Sequence, residues 1–286
     1  MPSLRQIRRR IRSVQNTAKI THAMEMIAGA KMRRAQERGL AGRPYSVQIK
    51  GVLGHLAAQA ERMDEVHPLM ERRPVQRIEI IHITSDRGLC GGLNSNMNRL
   101  SASYILQSGI PASAITVGRR GRDFMMRYLR EVRADFSFLG DRPSLLDTIP
   151  IARVAMEDFT SGYVDAVYLA YTQFVNTVVQ RPVVEKLLPV EPAEEETHWS
   201  LEYLYEPDPA TIVEALLPRY VEMEIYHAVL EHMASEQSAR MVSMRNATEN
   251  AKELITDLTL LANRVRQETI TKELLDIVGG AAVLTG

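Results

Sequence analysis

The sequence predicts an α/β fold with long helical arms, and three observations carry that reading. Near the C-terminus, Leu230, Ala234, Gln237, Met241, Met244, Thr248, Ala251, Ile255, Leu258, Ala262 and Val265 follow alternating steps of four and three residues. Near the N-terminus, Leu4, Ile7, Ile11, Val14 and Ala18 answer with the same alternation. Between these ends, β-branched runs alternate with helical patterns. A 3.5-residue repeat keeps one seam against a partner only if helices wind into a left-handed supercoil. The two ends are therefore read as wrapping on each other into a shaft that carries whatever lies between.

The leading helix is expected over residues 2–63, a rod of about 90 Å at about 1.5 Å per residue. Its seam fades near Glu25, resumes at Ala28, Met32 and Ala35, breaks at Gly39, Gly42 and Pro44, then returns as Ile49, Leu53, Leu56, Ala60 and Met63. Pro44 removes a backbone donor and crowds the preceding turn, which predicts a kink or an interruption there. Composition changes at His67 and Pro68. RIEIIHIT (77–84) reads as a buried strand, and SDRGLCGGLNSN (85–96) as a glycine-rich turn into a helix over 93–107. A second strand at 114–117 leads through GRRGRDF into another helix, and 135–139 is a short third strand.

Residues 144–159 form a helix with Leu145, Ile149, Ala152, Ala155 and Phe159 on one face. The apolar runs 164–175 and 182–190, joined by NTVVQR, predict a hairpin, and EPAEEETHWS a solvated loop. Strands alternating with helices make a mixed α/β layer. The trailing helix, 209–283, would run about 110 Å. Past Val265 its seam skips five residues and restarts at Ile270, Leu274, Ile277, Ala281 and Leu284, turning the apolar face away from the first partner. The small apolar ending IVGGAAVLTG fits a tip lodged in a tight surround.

Net charge is zero, but it hides two poles. Residues 1–43 hold eleven Lys/Arg against Glu25 and Glu37, or +9; residues 191–224 hold ten Asp/Glu against Arg219, or −9. The single cysteine, Cys90, excludes an internal disulfide and an all-cysteine metal cluster. No apolar run approaches the roughly 20 residues that span a bilayer, and no apolar signal core opens the chain.

Three stretches carry a family resemblance: SVQNTAKITHAMEMIAGAKMRRAQ (13–36), TSDRGLCGGLN (84–94) and ITKELLDIVGGAA (270–282). With SLEYLYEPDP (200–209) and EHMASEQSARMVSMRNATENA (231–251), the chain resembles the γ subunit of F-type ATP synthase along its whole length. The resemblance implies an antiparallel coiled coil of the terminal helices plus a Rossmann-like mixed α/β domain. It divides the chain into a helix over 1–66, an α/β foot over 67–207 and a helix over 208–286 that pairs with the first. It implies a non-catalytic central rotor, without cofactor, metal or direct nucleotide binding. Its partners would be three α and three β subunits around one γ, the ε subunit and the membrane c-ring. The location implied is peripheral, at the cytoplasmic face of a bacterial plasma membrane.

Carried over residue by residue, Met24, Arg240, Arg266 and Gln267 would face β-subunit loops, and Arg33 and Arg34 the acidic loop of β. Tyr203, Tyr205, Glu206 and Asp208 would form the foot on the c-ring and ε, and Gly88, Cys90 and Gly91 a loop at the base of the shaft. Cys90 has no partner and residues 190–210 leave no room for a regulatory insertion, which argues against thiol control of rotation.

Two other classes compete. A strand, a glycine turn and a helix at 77–107 could cradle phosphate in a nucleotide-binding enzyme. Yet the turn is neither G-x-G-x-x-G nor G-x-x-x-x-G-K-[ST], so tight packing is the plainer explanation. The Arg-rich start could bind nucleic acid, but it lacks interleaved aromatics and carries an apolar seam, which favours a solvated face or an acidic protein partner. Met24, Met26, Met32, Met241 and Met244 are expected as core filler, and the seven histidines as satisfied or exposed side chains.

Overall fold

The computed structural model describes residues 3–60, 67–129, 131–191 and 208–285, without side chains at 41–47, 50–60, 209–210 and 280–285. The chain divides into two compact units, one of residues 1–28 with 241–286 and one of residues 29–240. Helices α1 (Leu4–Ala60) and α5 (Pro209–Thr285) each contribute to both. The helix α1 runs unbroken through Gly39, Gly42 and Pro44, so the expected interruption does not occur. Met63, the EPAEEETHWS loop from Pro192 onward, and the side chains of Leu53, Leu56, Ala60, Ala281 and Leu284 lie outside what is described.

In the helical unit the seam is filled as its spacing requires. Ile7, Leu258, Ala262 and Val265 bury together, with Leu4, Ile11 and Val14 packed against them. Early residues of α1 meet late residues of α5, and Thr21 meets Thr248, so the helices are antiparallel. The heptad does not fade at Glu25. It continues through a polar layer in which the Thr21 and Thr248 hydroxyls lie 2.7 Å apart and Arg245 Nε donates to Glu25 Oε1 at 2.9 Å. Seam positions can hold polar groups when each finds a partner, which fixes register at a cost in stability. Beyond Val265, Ile270, Leu274 and Ile277 are exposed, as the skip in spacing implies.

The other unit is built on a five-stranded sheet in the order β3-β2-β1-β4-β5. Its strands are β1 (Ile78–Ile83), β2 (Ala112–Val117), β3 (Val132–Phe136), β4 (Ala166–Phe174) and β5 (Gln180–Leu188). The first four are parallel, and β5 closes the expected antiparallel hairpin on β4. Between them run α2 (Leu93–Ser108), α3 (Arg119–Tyr128) and α4 (Leu145–Thr160), the last opened by a capping box of Ser144 and Asp147.

Strand β1 is buried along its whole length, as a central parallel strand covered on both faces must be. Ile81 and Ile83 pack with Ala152, Phe159, Leu217 and Val221 of α4 and α5, while Ile80 faces Met97 of α2. The third strand lies earlier than the sequence places it, at 132–136 rather than 135–139. Its pairing with β2 is interrupted by a register shift at Ala114 and Ile115, which backbone geometry sets and composition does not. GRRGRDF is a tight packing device: a Cβ on Gly118 (φ +91°) would stand 2.0 Å from the Thr84 carbonyl oxygen.

Candidate functional site

The order of the strands puts a topological switch between β1 and β4, whose carboxyl ends flank the crevice where open α/β sheets take their ligands. Here side chains of α5 reach that edge. Arg240 Nη2 donates to the Gly88 carbonyl at 3.3 Å in the loop after β1. The Ser235 hydroxyl donates to the Thr172 carbonyl at 3.0 Å, and Glu231 accepts from the Phe174 amide at 2.8 Å, both at the end of β4. The glycine turn is thus read from one side by a protein helix.

The turn itself is held from within. Asn94 Nδ2 donates to Ser85 Oγ at 2.7 Å, and Ser85 donates to the Arg87 carbonyl at 2.8 Å. Leu89 and Gly91 adopt positive φ, and Leu89 is exposed at the turn despite the strain this imposes on a branched side chain. Asp86 ties neighbouring segments together, accepting from the amides of Arg119 at 3.0 Å and Phe138 at 3.1 Å. Cys90 is buried, and burial pushes its thiol above the ordinary range, which leaves it a poor nucleophile. The same loop borders an open groove of about 470 Å³, lined also by Asn98, Arg120, Asp123 and Tyr128.

Sequence-level candidates fall into several settings. Arg240 is largely enclosed, pairing with Glu236 at 2.6 Å; burial lifts the Glu236 carboxyl while Arg240 opposes that lift. Gly88, Cys90 and Gly91 share the loop that Arg240 touches, so the structure brings these four together. Arg33 and Arg34 are exposed on α1, and Arg34 shares a cavity of about 120 Å³ with Lys31, Arg38 and Arg142. Asp141 enters the same cavity and accepts from Lys31 at 2.6 Å, leaving a surplus of positive charge.

In the helical unit, Met24 is half-buried beside the Glu25–Arg245 pair, and Arg266 and Gln267 are exposed just past Val265, the last buried seam residue. Asp208 caps α5: its carboxylate accepts from the Thr211 amide at 2.9 Å and the Thr211 hydroxyl at 2.7 Å, with Pro209 following at the first helical position. Tyr203, Tyr205 and Glu206 lie outside the described residues.

Two expectations need correction. Met26 is exposed rather than core filler, because it lies off the heptad seam. His232 is buried with neither ring nitrogen hydrogen-bonded, so it is not a satisfied histidine; burial drives its pKa down to about 3 and keeps the ring neutral. His82 is satisfied, by Ser101 at 3.0 Å and Asn98 at 2.9 Å, and burial lowers it to about 4. Glu231, Ser235 and Ser238 were missed because polar residues on a helix give no sign in sequence of which main-chain groups they meet.

A long helix seated by polar side chains on the sheet's edge, and forming elsewhere a heptad seam with the chain's first helix, defines an α/β protein with coiled-coil arms. The ATP synthase family model matches residues 3–284. Among similar proteins is the ATP synthase gamma chain of Dehalococcoides mccartyi, 61% identical over 284 residues, covering 99% of this chain and 100% of that one. The ATP synthase gamma chain of Roseiflexus castenholzii is 49% identical over 288 residues, covering 99% of each. The chain belongs to the ATP synthase gamma chain family. Its fold is similar to a chain of the Euglena gracilis mitochondrial ATP synthase OSCP/F1/c-ring structure (TM-score 0.67, 20% identity, 98% of this chain and 94% of that one). It also resembles a chain of the Tetrahymena thermophila central stalk/c-ring structure (TM-score 0.62, 23% identity, 80% and 99%).

Proposed function

We propose that this chain is the central rotor shaft of a proton-translocating ATP synthase, carrying c-ring rotation to the catalytic β subunits. As a member of the family it is a component of the synthase. The finer reading is that it is non-catalytic: nucleotide chemistry belongs to the β subunits, and this chain supplies coupling. The observation that carries the proposal is the antiparallel seam between α1 and α5, in a chain similar to gamma chains along its whole length.

On this reading residues 1–66 with 208–286 make the shaft and 67–207 the foot. Met24, Arg33, Arg34, Arg240, Arg266 and Gln267 meet β loops, with the exposure of Arg33, Arg34, Arg266 and Gln267 in support. Tyr203, Tyr205, Glu206 and Asp208 meet the c-ring and ε, and Gly88, Cys90 and Gly91 form the loop at the shaft's base. No described helix is long and apolar enough to cross a membrane, which fits a peripheral subunit on the cytoplasmic face of a bacterial plasma membrane.

Reconstitution with α and β subunits tests the proposal. A discrete complex holding one copy of this chain is expected, and in vesicles with the membrane sector that complex pumps protons when given ATP. A complex with several copies per three β subunits, or full pumping without the chain, would refute it. Arg266→Glu is expected to lower the ratio of proton pumping to hydrolysis while leaving assembly intact, since the side chain is exposed beyond the buried seam. Loss of assembly in step with pumping would remove Arg266 from the coupling surface.

A further inference from the structure

We propose that a polar stripe on α5, centred on Glu231, Ser235 and Ser238, is the joint that fixes the rotational setting of the shaft helix against the α/β unit. The proposal rests on the rotor reading above. The three residues stand at i, i+4 and i+7, so they share one face of the helix. Glu231 Oε2 accepts from the Phe174 amide at 2.8 Å, Ser235 Oγ donates to the Thr172 carbonyl at 3.0 Å, and Ser238 Oγ donates to the Thr177 carbonyl at 2.7 Å. Gln180 Nε2 adds a longer bond to Ser238 Oγ at 3.4 Å, and Arg240 extends the row to the Gly88 carbonyl.

Four of these partners are main-chain groups in β4, in the turn after it, or in the loop after β1, so they are positioned by the sheet rather than by mobile side chains. Both serines are fully buried. Burial alone would be served better by alanine, which has the higher helix propensity and no hydroxyl to satisfy.

Hydrophobic attraction is itself non-directional, so the angle of α5 about its own axis is set by the interdigitation of its apolar face and by directional bonds at its periphery. At a radius of about 5 Å, a turn of about 20° displaces the side chain by about 2 Å, enough to break bonds of this length. Three such bonds to one hairpin, with Arg240 on the neighbouring loop, therefore oppose slip of α5 against the sheet. The helix then continues without a break past residue 241, where its buried residues form the seam with α1. Torque entering the α/β unit would pass into α5 at this stripe.

The test uses the complete synthase in membrane vesicles, reading ATP hydrolysis and ATP-driven proton uptake in the same preparation. Ser235→Ala with Ser238→Ala is expected to keep hydrolysis and lose proton uptake per ATP, while Ser235→Thr with Ser238→Thr, which keeps both hydroxyls, restores it. Glu231→Ala is expected to lose the ratio and Glu231→Gln, which still offers a carbonyl oxygen to the Phe174 amide, to retain it. The Glu231 pair decides the matter if the double alanine variant does not assemble. An unchanged ratio in the alanine variants, or equal behaviour of Glu231→Ala and Glu231→Gln, overturns the joint. If wild-type chain itself failed to support pumping, the rotor reading would fall instead.

Discussion

Two stretches of the same helix are held in different ways. Before residue 240, α5 is part of a layered core: Leu217, Val221, Ile225, Ala228 and Val229 join the sheet cluster, and the polar stripe engages main-chain groups beside them. After residue 241 only one seam is buried, through Met244, Thr248, Ala251, Leu258, Ala262 and Val265, while Leu254, Leu260 and Leu261 remain exposed. The first stretch is stabilised from several directions. The second depends on one partner helix and on keeping its register, and it leaves an apolar face that a surrounding protein could cover.

The sharpest way to break this comparison is to delete the same group from each stretch. Leu217→Ala removes a fully buried side chain from a core that cannot collapse and should cost about 4 kcal/mol, whereas Leu258→Ala at the seam should cost about 2 kcal/mol. Denaturant melts of the two variants check it, and equal losses would mean the seam is packed as tightly as the core.

Titration separates the stretches next, because the α/β unit hides ionisable groups. Burial and the nearby Asp158 carboxylate raise Glu79 to about 8. A folded-state pKa above the unfolded value means the folded state holds the proton more tightly. The resulting stability is complete below about pH 4.5 and disappears as pH rises through 8. Glu79→Gln should therefore gain on the order of 2 kcal/mol relative to wild type between pH 6 and pH 9. A constant difference in melting temperature over that range would contradict the assignment.

His232 acts in the opposite direction. Its depressed pKa gives stability that is present above about pH 6.5 and is lost as pH falls toward 3, and His82 behaves likewise toward 4. His232→Phe removes two buried, unpaired nitrogens and should stabilise by about 1 kcal/mol at pH 7, and by more at pH 5. Melts at both pH values read this directly, and destabilisation at both would point to a contact the ring makes that phenylalanine cannot.

The smallest effect belongs to the polar layer of the seam. Arg245 holds the Glu25 carboxyl below its usual range, but the arginine is more than half exposed, so Glu25→Ala should cost under about 1 kcal/mol and less in high salt. A larger, salt-independent loss would make Glu25 a structural keystone of the coil.

Legibility follows the same divide. The heptad seam was readable because a coiled coil writes its contacts at fixed spacing, and every seam residue from Leu230 to Val265 is buried or half-buried. Strand β1, the β4–β5 hairpin and the helices between them were readable from local periodicity and turn residues. Glu25 was misread as a gap, because whether a carboxylate can occupy a seam depends on Arg245, which lies 220 residues away. The register shift of β3 and the unpaired state of His232 also depend on groups distant in sequence, whereas the exposure of Met26 follows from its place off the seam.

By itself, then, the order of residues determined the helical arms, the apolar stripe along each and the alternating elements of the sheet, since each rests on neighbours one or two turns apart. Only the tertiary structure decided that β1 lies between β2 and β4, that Arg240 reaches the Gly88 carbonyl, and that buried serines of α5 meet the ends of β4. Those facts depend on main-chain groups brought together across many tens of residues, and a main-chain carbonyl has no letter in the sequence.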